Sequence, residues 1–349
     1  MKISIGTKIK EGPWGGGNLF AINLSQYLLK EGHKVFFDLN QEDLDVILIT
    51  EPRKTSESSA FTNNDVLNYK KYVNNNVVII HRINECDERK GTNYINSYLL
   101  YANRVSDHTI FVSEWLKNLF INLGINKEKS SVILAGANNE IFNDKNFIPW
   151  DKKSKIRIVT HHWGGNWNKG FEIYKKLDEL LDLDEYRNRI EFNYIGNLPN
   201  KFEFKNTNVS KPLSGKNLAQ EIKKSHLYLT GSLNEPSGNH HIEGGQCGLP
   251  ILYINSGGIP EYCDGYGEKF TPLNFEIKLE KMIKDYDKYL KKMKSYPFNS
   301  NLMSEEYMKL FNKLVKSIKE NKEGQKEQKN NFSYKLNKKF YLSKMKYKK

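Results

Sequence analysis

The stretch EPSGNHHIEGGQCGLPILYINSGGIPE, residues 235–261, holds 6 glycines in 27 positions, whereas the whole chain has 24 in 349. It follows the apolar run SHLYLT and encloses a second one, PILYI. Short apolar runs bounded by turns read as strands buried on both faces, the habit of parallel sheets. Each run passes into a glycine turn, GSLNEPSGN and NSGGIPE, and the segment HHIEGGQC between them reads as a short helix opening at Gly238 and Asn239. A helix N-terminus beyond the carboxyl end of a strand attracts anions, because unpaired N–H groups and the helix dipole point there and glycine lets a phosphate approach. Two such turns on adjacent strands suit a diphosphate. Glu235 and Glu243 bracket the first turn, and carboxylates are natural partners of ribose hydroxyls. Either glutamate alone reads as readily as a helix cap or a solvated helix residue.

The same alternation runs along the whole chain. KISIG (2–6) reads as a strand, GPWGGGN (12–18) as a loop, and NLFAINLSQYLLKEG as a helix closed by Gly32. KVFFDL, DVILIT, NVVIIH, HTIFVS and SVILA follow as strands, with helices through NYINSYLLYANRV and EWLKNLFINLG. A second series opens with KIRIVTHHWGG, where a strand over 156–160 meets a glycine loop and the helix GFEIYKKLDELLDL, and continues through IEFNYIG, SHLYLTGS and PILYI. Strands alternating with helices predict two doubly wound, Rossmann-like α/β domains, over 1–149 and 150–302, facing each other across a cleft outside the strand carboxyl ends. Tyr307, Leu310, Phe311, Leu314 and Ile318 share one face of a terminal helix over 303–320 expected to pack back on the body. Residues 321–349 form a basic tail with almost no core-forming pattern, expected to be disordered or conditionally ordered.

Charge and cysteines narrow the function. Of the net charge of +13, the segment 316–349 carries +9, from 12 Lys against 3 Glu, so the body is only mildly basic. That distribution argues against a nucleic-acid groove. The tail fits a solvated terminus, a peripheral contact with an anionic membrane face, or a nucleic-acid arm; its interleaved Phe332, Tyr334, Phe340, Tyr341, Leu342 and Tyr347 suit the membrane contact. Cys86, Cys247 and Cys263 lack the spacing of a disulfide framework or a zinc site. MKISIGTKIK carries no apolar signal core, and no run approaches the roughly 18 apolar residues of a membrane span. A cytoplasmic protein is expected.

Taken together, the motifs resemble the retaining GT-B glycosyltransferases of the large family 4 group. EPSGNHHIEGGQCGLPILYINSGGIPE looks like their donor-site signature: two glutamates with seven residues between them, a Gly-Pro-type entry to a strand, then a GG-x-PE turn. GGGNLFAINLSQYLLKEGHKV is similar to their N-terminal glycine loop, first helix and second-strand entry. FVSEWLKNLFINLG with SVILAGANNEIF resembles the end of their first domain, and WNKGFEIY the Lys-Gly opening of the first helix of the second. The resemblance covers most of residues 1–315.

That resemblance implies roles residue by residue. Lys169 matches the lysine that meets the donor diphosphate, Glu235 the glutamate beside the transferred sugar, and Glu243 the one that grips the ribose. Gly238, Asn239, Gly257, Gly258 and Ile259 would offer backbone N–H groups to sugar or phosphate, and Gly15, Gly16 and Gly17 would close over the donor and shape the acceptor site. His81, closing NVVIIH, is placed by the resemblance in the cleft near the reacting sugar; a strand-end histidine bonded to the backbone is the competing reading. Arg82, Asp87, Glu88, Arg89 and Lys90 bind a polar acceptor or form a solvated loop. One position departs: where many members carry an arginine five residues before the lysine, this chain has Gly164, so half the usual charge compensation of the diphosphate is missing unless His161, His162 or another base replaces it.

The expected activity is transfer of a sugar from a nucleoside diphosphate sugar to the hydroxyl of a glycan, lipid-linked or other acceptor, with no cofactor and no metal. A nucleotide-sugar epimerase and a non-catalytic nucleotide-sugar or glycan binder are the alternatives. Asp38, 21 residues after Gly17, invites a dinucleotide reading, but GPWGGGN lacks the G-x-G-x-x-G pattern. The pairs His161, His162 and His240, His241 invite a metal, but sequence neighbours rarely point at one ion.

Overall fold

The computed structural model of the chain describes residues 1–10, 12, 15–322 and 332–347. Among them the strands form two six-stranded sheets, parallel throughout. In the first, β1 (Lys2–Ile5), β2 (Lys34–Phe36), β3 (Val46–Ile49), β4 (Val78–Ile83), β5 (His108–Phe111) and β6 (Ser130–Val132) lie in the order β2-β1-β3-β4-β5-β6. In the second, β7 (Ile156–His162), β8 (Ile190–Gly196), β9 (Asn208–Ser210), β10 (Leu227–Thr230), β11 (Ile251–Ile254) and β12 (Gly267–Phe270) lie in the order β12-β11-β10-β7-β8-β9.

The central strands are unbroken apolar runs because helices cover both faces. VILI of β3 and ILYI of β11 are buried at every position, whereas the edge strand β9, NVS, is exposed throughout. Each sheet reverses its strand order once, between β1 and β3 and between β7 and β10. Those are the points at which an open α/β sheet leaves a crevice for a ligand.

The chain crosses between sheets near Gly136 and again near Asn299, and the crossings touch. Ala137 N–H donates to Phe298 O at 3.1 Å and Ser300 N–H to Ala137 O at 2.7 Å. A Cβ on Gly136 would lie 2.1 Å from Asn299 O, so this approach admits glycine alone. The helix Ser300–Lys322 then packs on the helix Gly16–Lys30, and its Met303, Tyr307 and Phe311 join Ile3, Ile5, Leu24 and Leu48 in the core of the first sheet.

The expectation of a disordered tail needs correcting over Phe332–Tyr347, which is a helix. It packs on the helix Asn63–Tyr72, where the Tyr341 ring lies 6.1 Å from that of Tyr72 and its hydroxyl donates to Asp65 O at 3.3 Å. The anchoring surface belongs to a helix that periodicity did not reveal, so the tail had no visible partner in the sequence. Residues 321 and 322 end the helix Ser300–Lys322, and the rest of the tail expectation, over 323–331 and 348–349, lies outside the described residues. No helix among those described is long and apolar enough to cross a membrane.

Candidate active site

The two switch points face each other across a cleft of about 820 Å³ lined by residues of both domains. Of the residues singled out in the sequence, Gly15, Gly16, Gly17, Lys169, Glu235, Gly238, Asn239 and Glu243 all line it. Strand ends and the turns after them place these groups. The Asn18 side chain exchanges bonds of 2.9 Å with Lys10 N–H and Lys10 O, which ties Lys10 to the first turn of the helix Gly16–Lys30.

Lys169 ends the short 3-10 turn Trp167–Lys169 after β7. Gly170 follows with φ 108°, and a Cβ there would lie 2.6 Å from Gly231 C; this contact presses the lysine turn against the end of β10. Lys169 Nζ lies 3.4 Å from Glu235 Oε2. The same oxygen is 2.6 Å from Arg89 Nη2, which reaches over from the first domain. Burial draws the Lys169 pKa down and Arg89 adds to that, against the opposing pull of Glu235. For Glu235 burial favours the neutral acid, but Lys169 and Arg89 outweigh it and hold the pKa below the ordinary value. The centre is thus two cations sharing one carboxylate.

Glu235 is followed by the helix Asn239–Gln246, whose N-cap Gly238 has φ 77°. A Cβ at Gly238 would come within 2.9 Å of Glu235 Cγ and His240 Cε1. The helix N-terminus, where Gly238 and Asn239 line the cleft, therefore has a cap that admits only glycine. From the other side Gly16 comes so near that a Cβ on it would lie 3.1 Å from Asn239 Nδ2. One turn into the helix, buried Glu243 meets His161 Nε2 at 2.9 Å. His161 Nδ1 is 3.0 Å from the Tyr228 hydroxyl, which accepts His161 N–H at 3.1 Å. His162 and His240, with ring centroids 4.4 Å apart, are held neutral by burial and engaged by Tyr174 and Thr230. Among the described residues no group of three or more His, Cys, Asp or Glu side chains could hold a metal ion.

Two expectations change. His81 is wholly buried in β4 and does not line the cleft, with Nδ1 3.0 Å from Asn103 Oδ1; burial holds its pKa down at about 4. Strand alternation is the reason: His81 faces the opposite side from its neighbour Arg82, which lines the cleft with its guanidinium 3.9 Å from the Phe20 ring centroid. Gly257, Gly258 and Ile259 do not line the cleft but support it from behind. Gly258 N–H is taken by Glu235 O at 2.9 Å, Ile259 is buried, and a Cβ on Gly257, φ 61°, would lie 2.5 Å from Glu235 O.

The stretch 82–90 also divides. Asp87 is structural, its carboxylate accepting N–H bonds from Ile95 and Asn96 at 2.9 and 3.0 Å. Arg89 and Lys90 line the cleft, beside Arg53, Glu51 and Glu85, which form a linked ion-pair group with Lys90. Asp38 only caps its own turn, accepting from Asn40 N–H at 2.8 Å. Sequence reading missed Glu261, which bonds the N–H groups of Glu114 and Trp115 at 2.7 and 2.9 Å and so caps a helix of the opposite domain. Nothing short of the fold could have paired them.

Comparison with solved structures decides the architecture. A glycosyltransferase structure from Rickettsia africae aligns over 90% of this chain and 98% of its own, at 16% identity and a TM-score of 0.64. The chain has the GT-B fold. GT-B structures with bound ligands match as well: the catalytic domain of starch synthase IV from Arabidopsis thaliana with ADP and acarbose (13% identity, 90% and 99% covered, TM-score 0.67), and Anabaena HepE with UDP and glucose (14%, 90% and 100%, TM-score 0.61). A Listeria monocytogenes structure proposed to be a UDP-N-acetylglucosamine 2-epimerase also matches, at 14% identity, 90% and 96% coverage and a TM-score of 0.57. No family model matches the chain. Uncharacterized protein 356 of Sulfolobus islandicus rod-shaped virus 1 is 26% identical over 177 residues, 47% of this chain and 49% of that protein, so the chain spans about half the length of this curated relative.

Proposed function

We propose that the protein is a retaining glycosyltransferase that moves a sugar from a nucleoside diphosphate sugar to an acceptor hydroxyl. The observation that carries this reading is the pairing of Lys169 with Glu235 at 3.4 Å, beside the N-terminus of the helix Asn239–Gln246, in the cleft between the two sheets. A lysine and a helix N-terminus converging on one spot stabilise a diphosphate as it leaves and gains charge. The UDP and ADP held by HepE and starch synthase IV support a nucleotide donor.

In this reading Glu243, oriented by His161, holds the ribose, and Glu235 orients the sugar to be transferred. The acceptor enters along the first-domain wall of Arg53, Glu51, Glu85 and Lys90. Their charges cancel, and such a wall suits a neutral hydroxyl-rich acceptor. No side chain stands as a covalent nucleophile in this reading; the leaving phosphate helps take the acceptor proton on the same face, which retains the anomeric configuration. Positioning of both substrates supplies much of the rate.

Equilibrium binding of UDP, ADP and GDP to the native protein and to Lys169→Ala tests the donor site, and NMR of the product's anomeric proton tests retention. Binding of one diphosphate, lost in the variant, supports the reading. A product that is still a nucleotide sugar would replace it with epimerisation.

A further inference from the structure

We propose that Arg89 is a positioning residue that assembles the donor site across the domain boundary, so that Lys169 and Glu235 are correctly placed only when the cleft is closed. The proposal rests on the glycosyltransferase reading for its catalytic consequence and on geometry for the latch itself. Arg89 lies in a short helix, Asp87–Lys90, in the first domain, yet its side chain is 8% exposed because it is inserted into the second. Nη1 donates to Asn168 O and to Leu233 O, both at 2.9 Å. Nη2 is 2.6 Å from Glu235 Oε2.

Those partners are informative. Asn168 precedes Lys169 and Leu233 lies two residues before Glu235, so a single guanidinium ties together the turn bearing the cation and the loop bearing the carboxylate. Leu233 N–H also donates to Asn168 O at 2.9 Å, so the two segments already form a unit onto which Arg89 docks. Asn234 adds a second strut, its Nδ2 donating to Glu88 O at 3.2 Å. The planar fork is essential, because an ammonium cannot meet two carbonyls and a carboxylate in this spread.

Charge points the same way. Gly164 leaves open space beside Lys169, with only Lys169 Cε and Asn166 Nδ2 near a Cβ built there, at 4.0 and 3.8 Å. The second positive charge beside Lys169 therefore comes from the opposite domain. Lys169 is faced by Glu235, which favours its charge, by Arg89 and Lys90, which oppose it, and by the neutral His162 and His240. Removing Arg89 thus moves the Lys169 pKa upward.

The test compares Arg89→Ala and Arg89→Lys with the native protein in two measurements. Solution scattering of the ligand-free protein reads the latch without any substrate: both variants are expected to show a larger radius of gyration, and an unchanged radius overturns the proposal whatever the chemistry proves to be. Donor turnover reads its consequence: kcat/KM is expected to fall about 100-fold in both, and in Arg89→Ala the alkaline limb of its pH profile is expected to shift upward. Full activity in Arg89→Lys would show that charge alone suffices and would overturn the positioning role. A native protein that opens on Arg89→Ala but turns over no nucleotide sugar would keep the latch and refute the glycosyltransferase reading instead.

Discussion

His161 Nε2 and a carboxylate oxygen of Glu243 lie 2.9 Å apart, in the second domain, with Tyr228 holding the other face of the imidazole. The carboxylate can only accept, so Nε2–H donates to it while Nδ1 accepts from the Tyr228 hydroxyl, and the imidazole so held orients the carboxylate that lines the cleft. His161→Phe is expected to weaken nucleoside diphosphate binding about tenfold, the equivalent of ~1.4 kcal/mol. Glu243→Ala is expected to cost more, because it removes the ribose contact itself. Calorimetric titration checks both.

The lowered pKa of Lys169 makes a pH prediction whose sign follows from its cause. Burial disfavours the ammonium, so its charge is lost at a pH below that of a free lysine, near 10.4. The profile of kcat/KM for the donor, which reports the free enzyme, is therefore expected to fall on the alkaline side before an exposed lysine would titrate. Lys169→Arg is expected to remove that limb and to lower the plateau.

Two glycines carry structural weight that a methyl group would reveal. Gly238 at φ 77° and Gly257 at φ 61° lie in the left-handed region, and a Cβ on either meets the Glu235 segment within 3.0 Å. Gly238→Ala and Gly257→Ala are each expected to cost about 1–3 kcal/mol of stability, measured by urea unfolding. Both are also expected to weaken donor binding, since Glu235 must move.

Glu261 caps the helix Glu114–Asn122 from the opposite domain, bonding the N–H groups of Glu114 and Trp115. Glu261→Ala is expected to lower stability by about 1 kcal/mol. The loss falls on the domain interface, so limited proteolysis should cut the residues joining the sheets, near 133–137, sooner in the variant.

The order of strands and helices was legible because the buried parallel strands are apolar runs with few competitors in the sequence, as VILI and ILYI show. β12, GEKF, was not, since its glutamate is buried only by virtue of Lys278, Lys281 and Tyr289, which meet it in the fold. Lys169, Glu235, Gly238 and Glu243 could be placed in the cleft because they lie in the turn or first helical turns that follow a strand, and a strand end carries that segment to the cleft. His81 could not be placed correctly from the sequence, because a shift of one residue along a strand changes the face, and it is Arg82 that takes the cleft side. The partners of Arg89 lie in another domain, a relationship that local pattern does not encode.

The central claim is that the cleft consumes a nucleotide sugar by transfer. The direct measurement is nucleoside diphosphate release from a panel of nucleotide sugars, with a mixture of hydroxyl acceptors, by the native protein, Lys169→Ala and Glu243→Ala. One donor consumed by the native protein, with release falling at least about 100-fold in Lys169→Ala and strongly in Glu243→Ala, is the predicted result. Release that persists undiminished in Lys169→Ala, or conversion of the donor into another nucleotide sugar without release, would contradict it.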